Sequence, residues 1–166
     1  IDDFGRYSDP NLKGDWNHRL MLGQNYVCHF LVVEAETLRT VGPLRQKYDG
    51  AQDHDLVLRL SEIVEPARIV HVPEVIYHWR KSPGSTATVI SAKSYAVDAG
   101  AMAVRDHLKR QGHSVNVSAM LGVTVYRVDW AFREEPSVTV IIPFREQLDV
   151  TRRCLDRLLN NTDYEN

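Results

Sequence analysis

The sequence predicts an α/β fold, and three observations support this class. Short apolar runs of strand length alternate along the chain with segments of helical periodicity. Gly and Pro residues stand between most of these segments, where turns are expected. The chain has 166 residues, of which 43% are hydrophobic, and this suffices for a compact domain with a sizeable core.

The N-terminal part of the chain predicts a loop, a helical turn, a strand and a short helix. Residues 1–17 are polar and rich in turn-forming residues, which predicts an irregular loop. Residues 19–22 fit one helical turn. Residues 26–33 combine aromatic and β-branched side chains, which predicts a buried strand. Residues 34–41 predict a helix that ends at Gly42.

A longer helix is predicted over residues 53–64, and two strands are predicted after it. The apolar side chains of the helix recur at helical spacing, and they are Leu56, Val57, Leu60, Ile63 and Val64. The two strands cover residues 68–72 and 75–79, with Pro73 between them. We expect the helix to pack its apolar stripe against the core.

The second half of the chain predicts a long helix, two short strands, and a separate strand and helix. The long helix covers residues 91–111, and Gly112 ends it. Its inward positions are Val97, Ala101, Val104 and Leu108. Residues 115–130 are β-like on both sides of Gly122. Residues 133–136 are charged and end in Pro, which predicts a linker; a buried strand over residues 138–143 and a helix over residues 150–160 follow.

Composition and charge argue against several classes of protein. The net charge is −2 with both signs interspersed, and no basic run indicates a nucleic-acid partner. The apolar runs are far shorter than the roughly 20 residues that span a bilayer. Cys28 and Cys154 lie in apolar patterns, so we expect two buried, reduced thiols in a cytoplasmic protein; a disulfide between them is the less favoured alternative.

Asp53 is the strongest candidate for a chemical role. It opens the helix over residues 53–64 and lies three positions before Leu56, at the top of the apolar stripe. The positive end of the helix dipole favours a negative charge there. A carboxylate in fixed geometry suits a general base. The alternative is a helix N-cap, which spacing alone favours and which is compatible with the catalytic role.

The end of the second predicted strand supplies further candidates. His78, Trp79 and Arg80 stand where a chain leaves a sheet, and such positions reach ligand crevices in α/β folds. A neutral imidazole is a metal ligand, and a guanidinium pairs with phosphate. The alternative is that these side chains bond to nearby carbonyl groups. Three other histidines are expected on helix surfaces or in a turn without a role, namely His54, His107 and His113.

Four stretches, taken in order, resemble the family 2 glycosyltransferases, and more closely the bacterial members that act on surface polysaccharides. They are KGDWN at residues 13–17 with LGQNY at 22–26, DGAQDHDL at 49–56, RIVHVPEVIYHWR at 68–80, and PGS at 83–85. A separate resemblance begins at residue 137, where SVTVIIP and a following helix with TRRCL look like the start of another such domain.

The resemblance implies a GT-A fold, in which a Rossmann-like mixed sheet is flanked by helices. Residues 1–132 would be the acceptor-side, C-terminal half of one glycosyltransferase domain with its following helix and short strands. Residues 133–136 would be a linker, and residues 137–166 the first strand and helix of a second domain. We therefore expect a fragment of a tandem-domain protein that lacks the donor-binding half and is inactive by itself.

The resemblance also implies a chemistry and a set of site residues. The family transfers a sugar from a nucleotide-diphospho-sugar to a saccharide acceptor with inversion, and a Mn²⁺ or Mg²⁺ ion is held by an Asp-x-Asp motif. The motif position assigns the base to Asp53 and favours this role over a pure cap. Substrate contacts fall on Gln52, Trp79 and Arg80. Metal contacts fall on His78 and on Asp2, the trailing edge of an incomplete motif. The protein is expected in the cytoplasm, peripheral to the inner face of the membrane.

Two other functions stay open at this point. One is a non-catalytic carbohydrate-binding or scaffolding domain that keeps the fold. The other is a zinc hydrolase, whose ligands would be Asp53, Asp55, His71 and His78, although they follow no recognised ligand spacing. The resemblance also implies a sheet with an open edge, and we expect residues 138–142 to fill it, within the chain or by exchange in a homodimer.

Overall fold

The computed structural model describes residues 4–80, 94–120, 123–131 and 136–164. The chain divides into two compact units, Ile1–Ala131 and Phe132–Asn166. This boundary lies beside the predicted linker, of which residues 133–135 fall outside the described residues. The glycosyltransferase roles assigned to the two parts of the chain stay predictions.

The first unit contains four described α-helices and one antiparallel hairpin. The helices are α1 (His18–Gly23), α2 (Ala35–Val41), α3 (Gln52–Ser61) and α4 (Ser94–Arg110), with 3₁₀ turns at Gln46–Tyr48 and Pro66–Arg68. Each α-helix confirms a predicted one; residues 91–93 of the predicted long helix lie outside the described residues. Gly42 and Gly112 end α2 and α4 with φ angles of +87° and +80°, in the left-handed region that favours glycine.

The hairpin confirms the strands predicted in residues 115–130. Strand β1 (Val115–Ala119) pairs antiparallel with β2 (Tyr126–Trp130), and Val117 lies opposite Val128. An isolated bridge joins Gln24 to Val125, so the end of α1 is tied to the start of β2. Gly122 lies outside the described residues.

The core lies between α4, α3 and the hairpin. The four predicted inward positions of α4, from Val97 to Leu108, are all buried, which confirms the stripe. Ala101, Val104 and Leu108 pack in one cluster with Met21 of α1, Leu58 of α3 and Val117 of β1. Full burial of one such side chain contributes about 1.5–3 kcal/mol. This cluster therefore fixes α3 against α4.

Helix α3 departs from its predicted stripe. Ile63 is 51% exposed and Leu56 is only partly buried, whereas Leu58 is completely buried. Polar residues of the same helix, His54, Asp55 and Arg59, are also buried. The reason is that α3 is covered by α2 as well as by α4, so that a single apolar face does not describe its surroundings.

The strands predicted at residues 26–33, 68–72 and 75–79 are wrong for the described part of the chain. Its sheet has two strands, β1 and β2, and the three segments form no ladder. Their composition suits strands, but a ladder also needs a neighbouring strand for the backbone N–H and C=O groups. The described residues therefore form a mixed α/β unit with a small antiparallel sheet, and the flanked mixed sheet of a GT-A fold stays a prediction.

The second unit contains helix α5 (Leu148–Asn160), which confirms the helix predicted at residues 150–160. The strand predicted at residues 138–143 is wrong: this segment forms no ladder with any described residue, and Ile141 is 85% exposed. Residues 138–142 therefore fill no sheet edge within the described chain, and exchange with a second copy stays a prediction. Cys154 is exposed and Cys28 is half-buried, so neither thiol is fully buried as predicted.

The described helices are all too short or too polar to cross a bilayer.

Candidate functional site

Asp53 lies in the first turn of α3, one residue after the helix begins. The N-cap is Ala51, so the interpretation of Asp53 as a cap is wrong. Its Oδ1 accepts a hydrogen bond from the backbone N–H of His54 at 2.9 Å. The side chain is half-buried, and its charge lies where the helix dipole stabilises an anion.

Asn25 holds the other oxygen of this carboxylate. Its Nδ2 donates to Asp53 Oδ2 at 2.9 Å, and its Oδ1 accepts from the backbone N–H of Cys28 at 3.1 Å. Since a backbone N–H can only donate, the amide oxygen must face Cys28 and the amide nitrogen must face Asp53. The contact joins the stretches 22–26 and 49–56, which are far apart in the sequence.

The start of α3 is pressed against α4 at Gly50. A Cβ atom there would lie 2.7 Å from Tyr95 Cε2 and 2.8 Å from Ala96 Cβ, and the φ angle is +89°. Only glycine fits both conditions. The Gly50 N–H donates to Gln52 Oε1 at 2.8 Å. The structure thus shows Gln52 in a turn contact, and its predicted role in binding substrate stays a prediction.

His54 lies behind Asp53 in the core, although the sequence placed it on a helix surface. It is 2% exposed, and its Nε2 is 2.7 Å from the carbonyl oxygen of Met21. Because a carbonyl can only accept, Nε2 carries the proton. Burial lowers the pKa of His54, so the ring is neutral near pH 7 and links α3 to α1.

Asp55 is a structural ion-pair partner. Its side chain is completely buried, and both oxygens are engaged by Arg45 and Arg59. Arg59 also donates to the carbonyl oxygens of Val41 at 2.7 Å and Pro43 at 2.9 Å. This cluster fastens the end of α2 to α3.

These contacts remove the zinc-hydrolase alternative. Both oxygens of Asp55 are held by arginine guanidinium groups, and His71 Nδ1 lies 3.2 Å from Asp15 Oδ1. Among the described residues, no group of three or more His, Cys, Asp or Glu side chains is arranged to hold a metal ion. The described residues alone therefore do not fit the divalent cation that the resemblance implies, and Asp2 lies outside them.

A cavity of about 1140 Å³ adjoins this site. Its walls come from residues 8–37, 57–64 and 68–80, and it is lined by the predicted binding residues His78, Trp79 and Arg80. His29 bridges two aromatic side chains of the wall, with its ring centroid 5.4 Å from that of Trp79 and 5.7 Å from that of Tyr77.

Asp53 is not among the described residues that line this cavity. Cys28 is, and the amide of Asn25 connects Cys28 to Asp53. The structure therefore brings His78, Trp79 and Arg80 together and leaves Asp53 and Gln52 outside their cavity. His78 contacts the ring of Tyr7, with centroids 4.4 Å apart.

The charge of Asp53 acts on two neighbours. Burial raises the pKa of the Cys28 thiol, and the Asp53 carboxylate raises it further. Burial raises the pKa of Tyr126 to about 12, again with help from Asp53 and from Asp98. Both groups therefore stay protonated at neutral pH.

Sequence reasoning missed Asn25 and a second polar cluster. His107, expected on a surface, is 1% exposed, with its Nδ1 2.7 Å from Glu62 Oε1 and its Nε2 2.9 Å from His18 Nε2. Asn25 did carry a signal, because it lies within the stretch 22–26 that carries part of the resemblance. His107 carried none, since its partners lie far away in the sequence.

Two curated proteins are similar to the chain over its length. The uncharacterized protein y4gI of Sinorhizobium fredii is 40% identical over 167 aligned residues, which is 100% of this chain and 18% of that protein. The O-antigen biosynthesis protein RfbC of Myxococcus xanthus is 42% identical over 164 residues, which is 99% of this chain and 13% of that protein. The chain thus spans less than a fifth of either relative. No protein-family model matches it, and no solved structure is significantly similar.

Proposed function

We propose that the chain is part of a glycosyltransferase that serves polysaccharide synthesis, with Asp53 as its general base. The observation that carries the proposal is the carboxylate of Asp53, fixed between the His54 N–H and the Asn25 amide at the start of α3. The similarity to a protein named for O-antigen biosynthesis supports the substrate class. The motif resemblance supports the reaction type.

The proposed step is a single displacement. Asp53 accepts the proton of a saccharide hydroxyl while that oxygen bonds to the anomeric carbon of the donor, and the bond from this carbon to the nucleoside diphosphate breaks. The configuration at the carbon inverts. Each carboxylate oxygen accepts more than one hydrogen bond, so the two contacts seen in the structure leave room for the incoming hydroxyl. A base fixed in this way contributes about 10²–10⁴-fold to the rate.

The cavity whose wall includes Cys28 is the proposed acceptor region, and because Asp53 lies outside it, an acceptor that reacts at Asp53 would extend beyond the cavity. Its aromatic and apolar wall with a few convergent polar groups is typical of small-molecule sites. Trp79 and Arg80, which line it, are the proposed acceptor contacts.

A divalent cation, when bound, would neutralise charge on the departing diphosphate. The described residues present no three-ligand group, so no step proposed for these residues involves a metal ion.

The test is sugar transfer by the full-length protein that contains this chain. Asp53→Asn keeps the size of the side chain and its hydrogen bond with the His54 N–H, but it removes the base. We expect sugar transfer to fall about 10²–10⁴-fold. Asp129→Asn is the matched control, because Asp129 forms a solvent-exposed pair with Arg127 on β2. Its transfer rate should equal that of the unmodified protein.

A binding domain without catalysis is the second candidate, and the aromatic wall of the cavity favours it equally. In that case Asp53→Asn would transfer sugar at the unmodified rate, while Trp79→Ala would abolish saccharide binding in calorimetry. The two functions therefore give opposite results for Asp53.

A further inference from the structure

We propose that Asn25 is the positioning residue for Asp53: its side-chain amide orients the carboxylate and stabilises it as the proton acceptor. This inference rests on the proposed function, since it concerns the same base. Asn25 Nδ2 donates to Asp53 Oδ2 at 2.9 Å, a normal length for this type of bond.

The amide has one productive orientation. With its oxygen on the Cys28 N–H and its nitrogen on Asp53, both contacts are attractive. A half-turn of the amide would set oxygen against the carboxylate and NH₂ against the N–H, so both contacts would become repulsive. The wall residue Cys28 therefore dictates which atom Asn25 presents to Asp53.

The backbone around Asn25 is tied down on its N-terminal side. Gln24 forms the bridge with Val125 at the start of β2, and its N–H donates to the Leu20 carbonyl of α1 at 2.9 Å. Asn25 follows directly. Its side chain thus starts from a fixed point, as an orienting group requires.

The predicted consequence lies in the pH dependence of the reaction. A hydrogen bond to the charged form of a carboxylate favours that form, and a second carboxylate nearby disfavours it. Asn25→Ser shortens the side chain so that its hydroxyl no longer reaches Asp53, and losing this contact should make the base easier to protonate. Asn25→Asp should have a larger effect, because it keeps an oxygen for the Cys28 N–H while placing a second negative charge beside Asp53.

The experiment is the pH profile of kcat/KM for sugar transfer by the full-length protein. We expect the acidic limb of this profile to move to higher pH, by about 1 pH unit in Asn25→Ser and by more in Asn25→Asp. The position of the limb does not depend on the fraction of active protein, so partial misfolding of a variant does not move it.

The charge-matched control is Asn17→Asp. Asn17 caps α1 by accepting from the Leu20 N–H, and a carboxylate serves equally well as an N-cap. Its acidic limb should coincide with that of the unmodified protein.

Two results overturn the inference and are distinguishable. If Asp53→Asn is inactive while both Asn25 variants keep the original limb, Asn25 does not position the base, and the proposed function stands. If Asp53→Asn transfers sugar at the unmodified rate, the base itself is wrong, and both proposals fall.

Discussion

The Nε2 atoms of His18 and His107 face each other at a distance of 2.9 Å, across the contact between α1 and α4. His107 Nδ1 lies 2.7 Å from a carboxylate oxygen of Glu62 and must carry a proton. In the neutral ring Nε2 is then an acceptor, so His18 donates through its own Nε2–H. The contact is lost when both rings are protonated, because each Nε2 then carries a hydrogen and neither can accept.

This pairing predicts that stability falls with acidity. Burial lowers the pKa of His18, His54 and His107, and the charges of neighbouring groups modify this effect. The ordinary pKa of a histidine is about 6.5. At lower pH the unfolded chain therefore binds more protons than the folded chain. Stability is full above pH 6.5 and is lost progressively below it. Urea unfolding at pH 7.5, 6.5 and 5.5, values spaced about 1 unit around the ordinary pKa, measures the effect.

The control separates these rings from an exposed one. His113 packs edge-on against Trp130 at a ring distance of 5.2 Å and is exposed to solvent. His113→Gln should keep the pH dependence of stability, whereas His107→Gln should reduce it. Equal slopes for all three proteins would contradict the role of the buried pair.

Replacing Gly100 by alanine should have an unusual effect on the stability of the protein. A Cβ atom there would lie 1.9 Å from the hydroxyl oxygen of Tyr126 and 2.6 Å from its Cζ. Alanine normally stabilises a helix interior by about 1 kcal/mol relative to glycine. In Gly100→Ala the clash with Tyr126 should outweigh this gain. We expect the variant to be less stable than the unmodified protein by about 1–3 kcal/mol, as measured by thermal unfolding.

Gly14→Ala is the matched control for this substitution. A Cβ atom at Gly14 meets nothing within 4 Å, so stability should change by less than about 0.5 kcal/mol. A stabilised Gly100→Ala protein would show that Tyr126 does not occupy this position.

Truncating the side chain of Asp55 should cause a large loss of stability, because Asp55 forms buried ion pairs. Asp55→Ala leaves the buried guanidinium of Arg59 without its carboxylate, which should cost about 3–5 kcal/mol in urea unfolding. Asp129→Ala removes a pair in solvent and should cost no more than about 1 kcal/mol. Similar losses in the two variants would rule out a special role for the buried cluster.

The two thiols should react at different rates. Cys154 is exposed, whereas Cys28 is half-buried, and burial together with Asp53 raises the pKa of Cys28. Since the thiolate is the reactive form, iodoacetamide at pH 8 should label Cys154 first. Mass spectrometry of the labelled peptides gives both rates. Asp53→Asn should speed labelling of Cys28 and leave Cys154 unchanged, and the reverse order of labelling would contradict the structure.

The helices were predictable because their signals are local. The stripe of α4 from Val97 to Leu108 and the stop at Gly112 lie within one segment, and helical hydrogen bonds link residues four positions apart. The strand composition of residues 26–33 and 138–143 is equally plain. A ladder, however, depends on partners elsewhere in the chain, and composition does not reveal whether they are there.

The site was predictable only in part for the same reason. The position of Asp53 in the first turn of α3 was predictable from the sequence, whereas its catalytic role stays a prediction. Its partner Asn25 is 28 positions away, and Glu62 is 45 positions from His107, so spacing says nothing of either contact. His54 and Asp55 are buried because α2 and α4 together cover α3. The spacing of apolar residues within α3 does not reveal which other helices cover it.

The polar interior of α3 has a consequence for its rotation about its own axis. Successive residues of a helix are turned by about 100° from each other. Slipping α3 by one residue would therefore swing Asp55 away from Arg45, and it would swing Arg59 away from the carbonyl oxygens of Val41 and Pro43. The direction in which Asp53, two residues earlier, leaves the helix is thus fixed in part by ion pairs in the interior of the unit.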